Sequence, residues 1–325
     1  MGGRGARWGP DGPAKANNET IKVRAMSPAV LRFLAERYEQ IEVRYDPAQR
    51  ALWVYHRPRR RPCFNLDLLS EIKRLQEAVQ RACHGHDETS SPVRFLIAGS
   101  RAKDAFNLGG DLALFLELIR NRDRQGLRRY ALACVEVLYL NSVNLNAPLT
   151  TIALVQGAAL GGGFEAAISC SVVVAERHVQ MGLPEILFNL FPGMGAYSFL
   201  ARRIHPIYAE RLILSGEMWT APELYEKGVI DVVAETSTGQ QAVVDYLRRQ
   251  DRIGVGTFGL IKARHRVQPV TYQELFDVAM IWADSALRLS ERDLRVMERL
   301  LRAQNRAYGL APTPTDRAKV VPLIS

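Results

Sequence analysis

The chain lacks the motifs of the commonest nucleotide and serine chemistries. It has no GxxxxGKS or GxxxxGKT run, so a Walker phosphate loop is excluded. The strand-turn-helix at 151–165 carries its glycines as GxxxGGG rather than GxGxxG, which is weak support for dinucleotide binding. No GxSxG elbow occurs, which disfavours the usual serine hydrolase. Cysteine is scarce: Cys63, Cys83, Cys134 and Cys170 are scattered without CxxC spacing and read as reduced thiols. The cluster Cys83, His84 and His86 has no second ligand pair at a zinc spacing, so it reads as an exposed loop after a helix, not a metal corner. A secretory apolar segment is missing from the opening MGGRGARWGPDGPAKANNET, which reads as a flexible tail. The uncharged stretch from Val137 to Phe164 is interrupted by Asn141, Asn144, Asn146, Pro148 and Gln156, which suit a loop and a strand rather than a bilayer span. The GxxxG at Gly157 and Gly161 is therefore no membrane-helix motif. A cytoplasmic protein with no membrane insertion is expected.

What is present is an ordinary globular composition, 47% hydrophobic and 24% charged over 325 residues, enough for a sizeable core. The formal charge is +9, with basic runs at RPRRRP (57–62) and from Arg288 to Arg306. Nucleic acid, an acidic carrier protein and the phosphates of a coenzyme thioester are all chemically suited to such runs, and an arginine-rich solvated surface accounts for them equally. Alternation predicts a hairpin from IEVRY (41–45) and ALWVYH (51–56), then strands at 93–99, 151–157 and 171–176. Helical periods run over 67–83 and 112–140, and later near 206–215, 221–228, 240–250 and 271–306. Strands alternating with helices predict an α/β core with parallel strands, and the last third reads as mostly helical.

Three glycine-bearing segments follow candidate strands: FNLGGDL (106–112), GAALGGGFE (157–165) and MGLPEILFNLFPGMG (181–195). Two glycine turns from different strands can aim two N–H donors at one oxygen, the recipe for an oxyanion hole. Two carboxylates accompany them, Glu165 behind the triple glycine and Glu185 after MGLP. That spacing returns the chain to the same end of a sheet, where two carboxylates in unlike environments can divide acid and base work. Taken alone, the glycines and Glu165 read first as a tight strand-to-helix turn with an acidic residue in the first helical turn, favoured by the helix dipole.

FNLGGDL, VQGAALGGGFEAAISC, MGLPEILF and FPGMGAYSFLARRI, in this order and spacing, resemble the crotonase (enoyl-CoA hydratase/isomerase) superfamily from about residue 40 to 235. Within it, FNLGGDL, GGGFEAA, GLPEILFNLFPGMGAYSF and IWADSAL are most similar to the bacterial diffusible-signal-factor synthases, which make cis-2-unsaturated fatty acid signals. That likeness extends to about Gly309.

The resemblance implies a crotonase fold, a spiral of strand-strand-helix units with a helical C-terminal region. The expected layout is a flexible tail at 1–25, a catalytic core at 26–235, a C-terminal helical region at 236–309 and a second tail at 310–325. It implies Gly110 and Gly162 as oxyanion donors, Glu165 and Glu185 as the proton-transfer pair, and Gly109, Leu160, Gly161, Met194, Trp282 and Leu300 as substrate-binding residues. For Trp282 and Leu300, ordinary helix packing is the alternative. The implied reaction is dehydration of a 3-hydroxyacyl thioester on acyl carrier protein to the cis-2-enoyl thioester, then hydrolysis to a free fatty acid signal for quorum sensing. A hydratase that leaves the thioester intact, and a crotonase-fold binding protein with an idle site, are the rivals. No cofactor or metal is implied, because the carrier is part of the substrate. A homotrimer or hexamer, acyl carrier protein or acyl-CoA, and a regulatory sensor protein are the implied partners, without nucleic acid.

Overall fold

The computed structural model describes residues 28–310. The expected tail at 1–25 lies outside the described residues, as does all but Leu310 of that at 310–325.

Along the chain, α1 (Pro28–Ala35) leads to the hairpin β1 (Ile41–Asp46) and β2 (Ala51–His56), then α2 (Leu66–Cys83). Next come β3 (Phe95–Ser100), β4 (Ala105–Asn107), α3 (Leu112–Arg120) and α4 (Arg124–Ser142). β5 (Thr150–Val155), β6 (Ala158–Leu160) and α5 (Gly162–Ser169) repeat that order. β7 (Val172–Glu176) and β8 (Gln180–Gly182) precede a 3₁₀ turn at Pro184–Phe188, α6 (Ala196–Leu200) and α7 (Pro206–Ser215). β9 (Met218–Thr220), α8 (Ala221–Glu226) and β10 (Val232–Ala234) lead to three final helices: α9 (Gly239–Val267), α10 (Tyr272–Ala286) and α11 (Glu291–Ala307).

Two sheets result. The larger has the order β1-β2-β3-β5-β7-β10, antiparallel only between β1 and β2. The smaller is β4-β6-β8-β9, parallel except for the last pair. Each turn of the chain places one longer strand in the first sheet and a short one in the second before a helix or turn. This builds a spiral, and it brings the ends of β4, β6 and β8 side by side. Every residue of β5 and β7 is buried, which explains why TTIALV and VVVAE read as unbroken runs without alternation.

Several helical expectations change. The segment 112–140 is two helices, because Asp123 caps α4 by accepting the Gly126 N–H at 2.8 Å, and Arg122 adopts a left-handed φ of +51°. The segment 271–306 is likewise two, divided where Ser290 and Asp293 form a reciprocal capping box. Conversely, the helix placed at 240–250 runs on to Val267. Glycines at 254, 256 and 259 disfavour it by about 1 kcal/mol each relative to alanine but do not stop it, and proline first appears at 269. The mostly helical last third also contains two short strands, β9 and β10. Cys83 packs inside as the last residue of α2, so of the three cluster residues His84 and His86 are exposed and Cys83 is not. All four cysteines are free and buried. Among the described residues no helix is long and apolar enough to cross a membrane.

Candidate active site

The triple glycine lies between β6 and α5. Gly161 has φ +52°, and its N–H donates to Gly182 O at 2.8 Å, tying β6 to β8. One turn into α5, Glu165 is 1% exposed. Its Oε1 accepts the Met194 and Ala196 N–H groups, each at 2.8 Å. These two donors come from the turn before α6, where Gly195 takes φ +120°. The glycines of FPGMG thus fold a backbone cradle for a buried carboxylate.

Glu185 stands in the 3₁₀ turn after β8. Its Oε1 rests against Gly161, where any Cβ would overlap it, and its Oε2 is buried with no hydrogen-bond partner among the described residues. Gly161 is therefore glycine on two counts, backbone conformation and room for Glu185.

The two carboxyl groups share a neighbourhood but not an environment. Burial pushes Glu165 above the usual carboxylate range, opposed by the N–H groups of Ala196, Met194 and Gly195. Burial pushes Glu185 up as well, and the negative charge of Glu165 adds to the effect. With only the weak counterpull of its own backbone N–H, Glu185 is the better holder of a single shared proton. Glu165, which accepts the Met194 and Ala196 N–H groups, is the better carboxylate.

Opposite them, FNLGGDL forms the turn after β4. Gly109 adopts φ +93°, donates its N–H to Asn107 Oδ1 at 2.8 Å and accepts the Phe64 N–H at 2.8 Å. Asp111 then caps α3 through the Ala113 N–H at 3.1 Å. Among the described residues this leaves the Gly110 N–H without an acceptor, and the Gly162 N–H at the start of α5 has none among them either. The two turns touch, since a Cβ on Gly109 would lie 3.1 Å from Gly162 N.

Both N–H-bearing glycines and both glutamates line one cavity of about 360 Å³, within the range of small-molecule sites. Leu160, Gly161, Met194, Trp282 and Leu300 line it too. Gly109 does not; it lies behind the wall and shapes the turn that presents Gly110. Sequence reasoning missed Phe115, which stacks edge-on against both Tyr130 (4.8 Å) and Trp282 (5.1 Å), and Tyr130, whose hydroxyl donates to Phe64 O at 2.6 Å. Their apolar helical positions had the signature of plain core residues, and only the fold shows that this part of the core is hollow. Among the described residues no cluster of three His, Cys, Asp or Glu can hold a metal ion. The RPRRRP run divides: Arg57, Arg59 and Arg60 are exposed, whereas Arg61 turns inward to Asp111 at 3.0 Å.

The arrangement has counterparts among known proteins. The pattern of the enoyl-CoA hydratase/isomerase family matches residues 69–250. A probable enoyl-CoA hydratase of Bacillus subtilis is 30% identical over 154 residues, 47% of this chain and 57% of that one. The 2,3-dehydroadipyl-CoA hydratase of Escherichia coli is 42% identical over 88 residues, 27% of this chain and 34% of that one. The matched segments thus span about half or less of these relatives' lengths. The crystal structure of human mitochondrial delta3-delta2-enoyl-CoA isomerase superposes with a TM-score of 0.68 at 16% identity, covering 83% of this chain and 99% of that one, a likeness of fold. With more than half of its length matched by the family pattern, and with the expected crotonase fold in place, this chain belongs to the enoyl-CoA hydratase/isomerase family.

Proposed function

We propose that the protein adds water to, or removes it from, carbons 2 and 3 of an acyl thioester. The observation that carries this reading is one apolar cavity holding two free backbone N–H groups, from Gly110 and Gly162, opposite two buried carboxyl groups in unlike surroundings. A thioester carbonyl between the N–H groups meets donors where negative charge develops, each typically worth ~10²–10³ in rate. With Glu165 ionised and Glu185 protonated, one group is ready to take a proton and the other to give one. The reverse reaction starts from the opposite protonation, as microscopic reversibility requires.

The finer reading is a signal synthase. A 3-hydroxyacyl chain, carried on acyl carrier protein or CoA, loses water to give a cis-2-enoyl thioester. Water then attacks the carbonyl carbon, the C–S bond breaks, and the carrier thiol leaves with a proton as the free acid forms. This reading is supported by the sequence likeness through α10 and α11, the two helices that bring Trp282 and Leu300 to the cavity. The coarser reading, hydration without thioester cleavage, is supported by the hydratase names of the curated relatives. In both, the carrier is part of the substrate. The apolar wall binds the acyl chain at about 0.8 kcal/mol per methylene buried. A homotrimer or hexamer in the cytoplasm and a regulatory sensor partner complete the proposal. Exposed Ile207, Tyr208 and Leu214 on α7 support self-association.

Incubating purified protein with 3-hydroxyacyl thioesters on both carriers, and weighing the products by mass spectrometry, tests the two readings. Free cis-2-enoic acid is the result expected of the synthase. Enoyl thioester alone would leave a hydratase, and no turnover on either carrier would leave a crotonase-fold binding protein.

A further inference from the structure

The inward-turned end of the basic run belongs to no part of the chemistry so far described. Its backbone runs beside the turn that presents Gly110: the Leu108 N–H donates to Pro62 O at 2.7 Å, and the Phe64 N–H donates to Gly109 O at 2.8 Å. The Arg61 side chain, 12% exposed, then forks. One guanidinium nitrogen, Nη2, donates to Asp111 Oδ1 at 3.0 Å, and the other, Nη1, donates to Asn305 Oδ1 at 2.8 Å. Asp111 immediately follows Gly110 and caps α3. Asn305, 4% exposed, sits on α11 beside Gln304, and that helix supplies Leu300, Ala303 and Gln304 to the cavity wall. Three segments far apart in sequence thus meet at one side chain. A second link between the same helices, Arg120 to Glu298, lies nearer solvent.

We propose that Arg61 is a positioning residue that locks the C-terminal helix, as one wall of the acyl cavity, to the turn that aims the Gly110 N–H. A planar, rigid fork suits this task because it holds two acceptors at a fixed separation, which a lysine ammonium does not. The link works in both directions. An acyl chain that seats α11 also steadies the oxyanion donor, and a misplaced turn loosens the wall. Small errors in such geometry are expensive in rate, since a displacement of about 1 Å can lower turnover by ~10². The proposal rests on reading Gly110 as a donor to the thioester oxygen, so its test includes a measurement independent of turnover.

The variants are Arg61→Met, Arg61→Lys and, as a control on the exposed part of the run, Arg59→Met. Turnover is measured on crotonyl-CoA and a twelve-carbon 2-enoyl-CoA, with hydrogen exchange by mass spectrometry and melting temperature alongside. Arg61→Met is expected to lower kcat by about tenfold or more on both substrates and to shrink the preference for the long chain. Exchange is expected to rise together in peptides covering 108–116 and 298–308. Arg61→Lys is expected to restore only part of kcat, and Arg59→Met to match the wild type. Arg61→Met with kcat within twofold of wild type, full rescue by lysine, or faster exchange confined to 57–65 each overturns the proposal. If Arg61→Met does not fold, Arg61→Lys decides alone, and wild-type kcat and exchange in it count against the lock. A wild-type protein inactive on both CoA thioesters counts against the reading as a CoA-thioester hydratase, while the paired exchange response still decides the lock.

Discussion

Glu185 makes the sharpest statement at the scale of single residues. Its folded pKa is raised above the unfolded value of about 4.3, so between those two values the folded state binds more proton than the unfolded state. Stability from this group is therefore complete below pH ~4.3 and is lost as pH rises through the raised value, at up to about 1.4 kcal/mol per pH unit. Replacing it by an isosteric, uncharged side chain removes that loss. Thermal melts of Glu185→Gln and wild type should coincide near pH 4 and separate towards pH 8, with the variant the more stable. Parallel melting curves across that range would mean that Glu185 does not hold a proton in the folded state. Gly161 gives a second prediction. Alanine there meets both a φ of +52° and Glu185 Oε1, so Gly161→Ala should lose about 1–3 kcal/mol in urea unfolding and most of its activity.

At the scale of elements, the helix that carries Glu165 is held from behind. Arg203, with a side chain 9% exposed, donates to the carbonyls of Ile168 and Cys170 at the end of α5, to Val229 O, and to Asp231. Asp231 in turn accepts the Val173 N–H at 2.7 Å, so the same arginine fastens α5 to the large sheet. Arg203→Met removes this donor from the carbonyls of Ile168, Cys170 and Val229, while Asp231 keeps only the Val173 N–H. It should cost about 1–3 kcal/mol, seen as a lower urea midpoint with an unchanged slope.

The elements were unequally legible in the sequence. The β1–β2 hairpin and the run of α2 stood out because alternation and helical period are properties of side chains. The break at Asn121–Asp123 and the box at Ser290 and Asp293 escaped because the apolar stripes continue across them, while single polar caps decide where each helix stops. In the site, Glu165, Glu185 and the glycine turns stood out as residue types, while Gly110 and Gly162 were singled out only through the family resemblance. The cradle around Glu165 was not legible, because the Met194 and Ala196 amides that form it are backbone groups which any sequence supplies. Arg61 was read as surface charge, since nothing in RPRRRP shows which arginine turns inward.

For the whole molecule, the spiral explains how residues 110, 162 and 185 meet: successive turns bring the ends of β4, β6 and β8 to one place, and α10 and α11 close the cavity they face. The outer surface keeps apolar side chains at Ile207, Tyr208 and Leu214 on α7 and at Val255, Leu260 and Val267 on α9. Apolar exposure on this scale fits association of copies. Light scattering on the eluted protein should give three or six times the chain mass, and a monomer at micromolar concentration would count against the assembly.

The central claim is that Glu165 and Glu185 work as one acid–base pair on a thioester held by Gly110 and Gly162. Its most direct test is turnover of a 2-enoyl-CoA by wild type, Glu165→Gln, Glu185→Gln and the double variant, all shown to be folded. Each single variant should fall by ~10²–10⁴, and the double variant should fall little further, because groups that act as a unit are not additive. Near wild-type turnover in either single variant, or losses that multiply in the double, would contradict the claim.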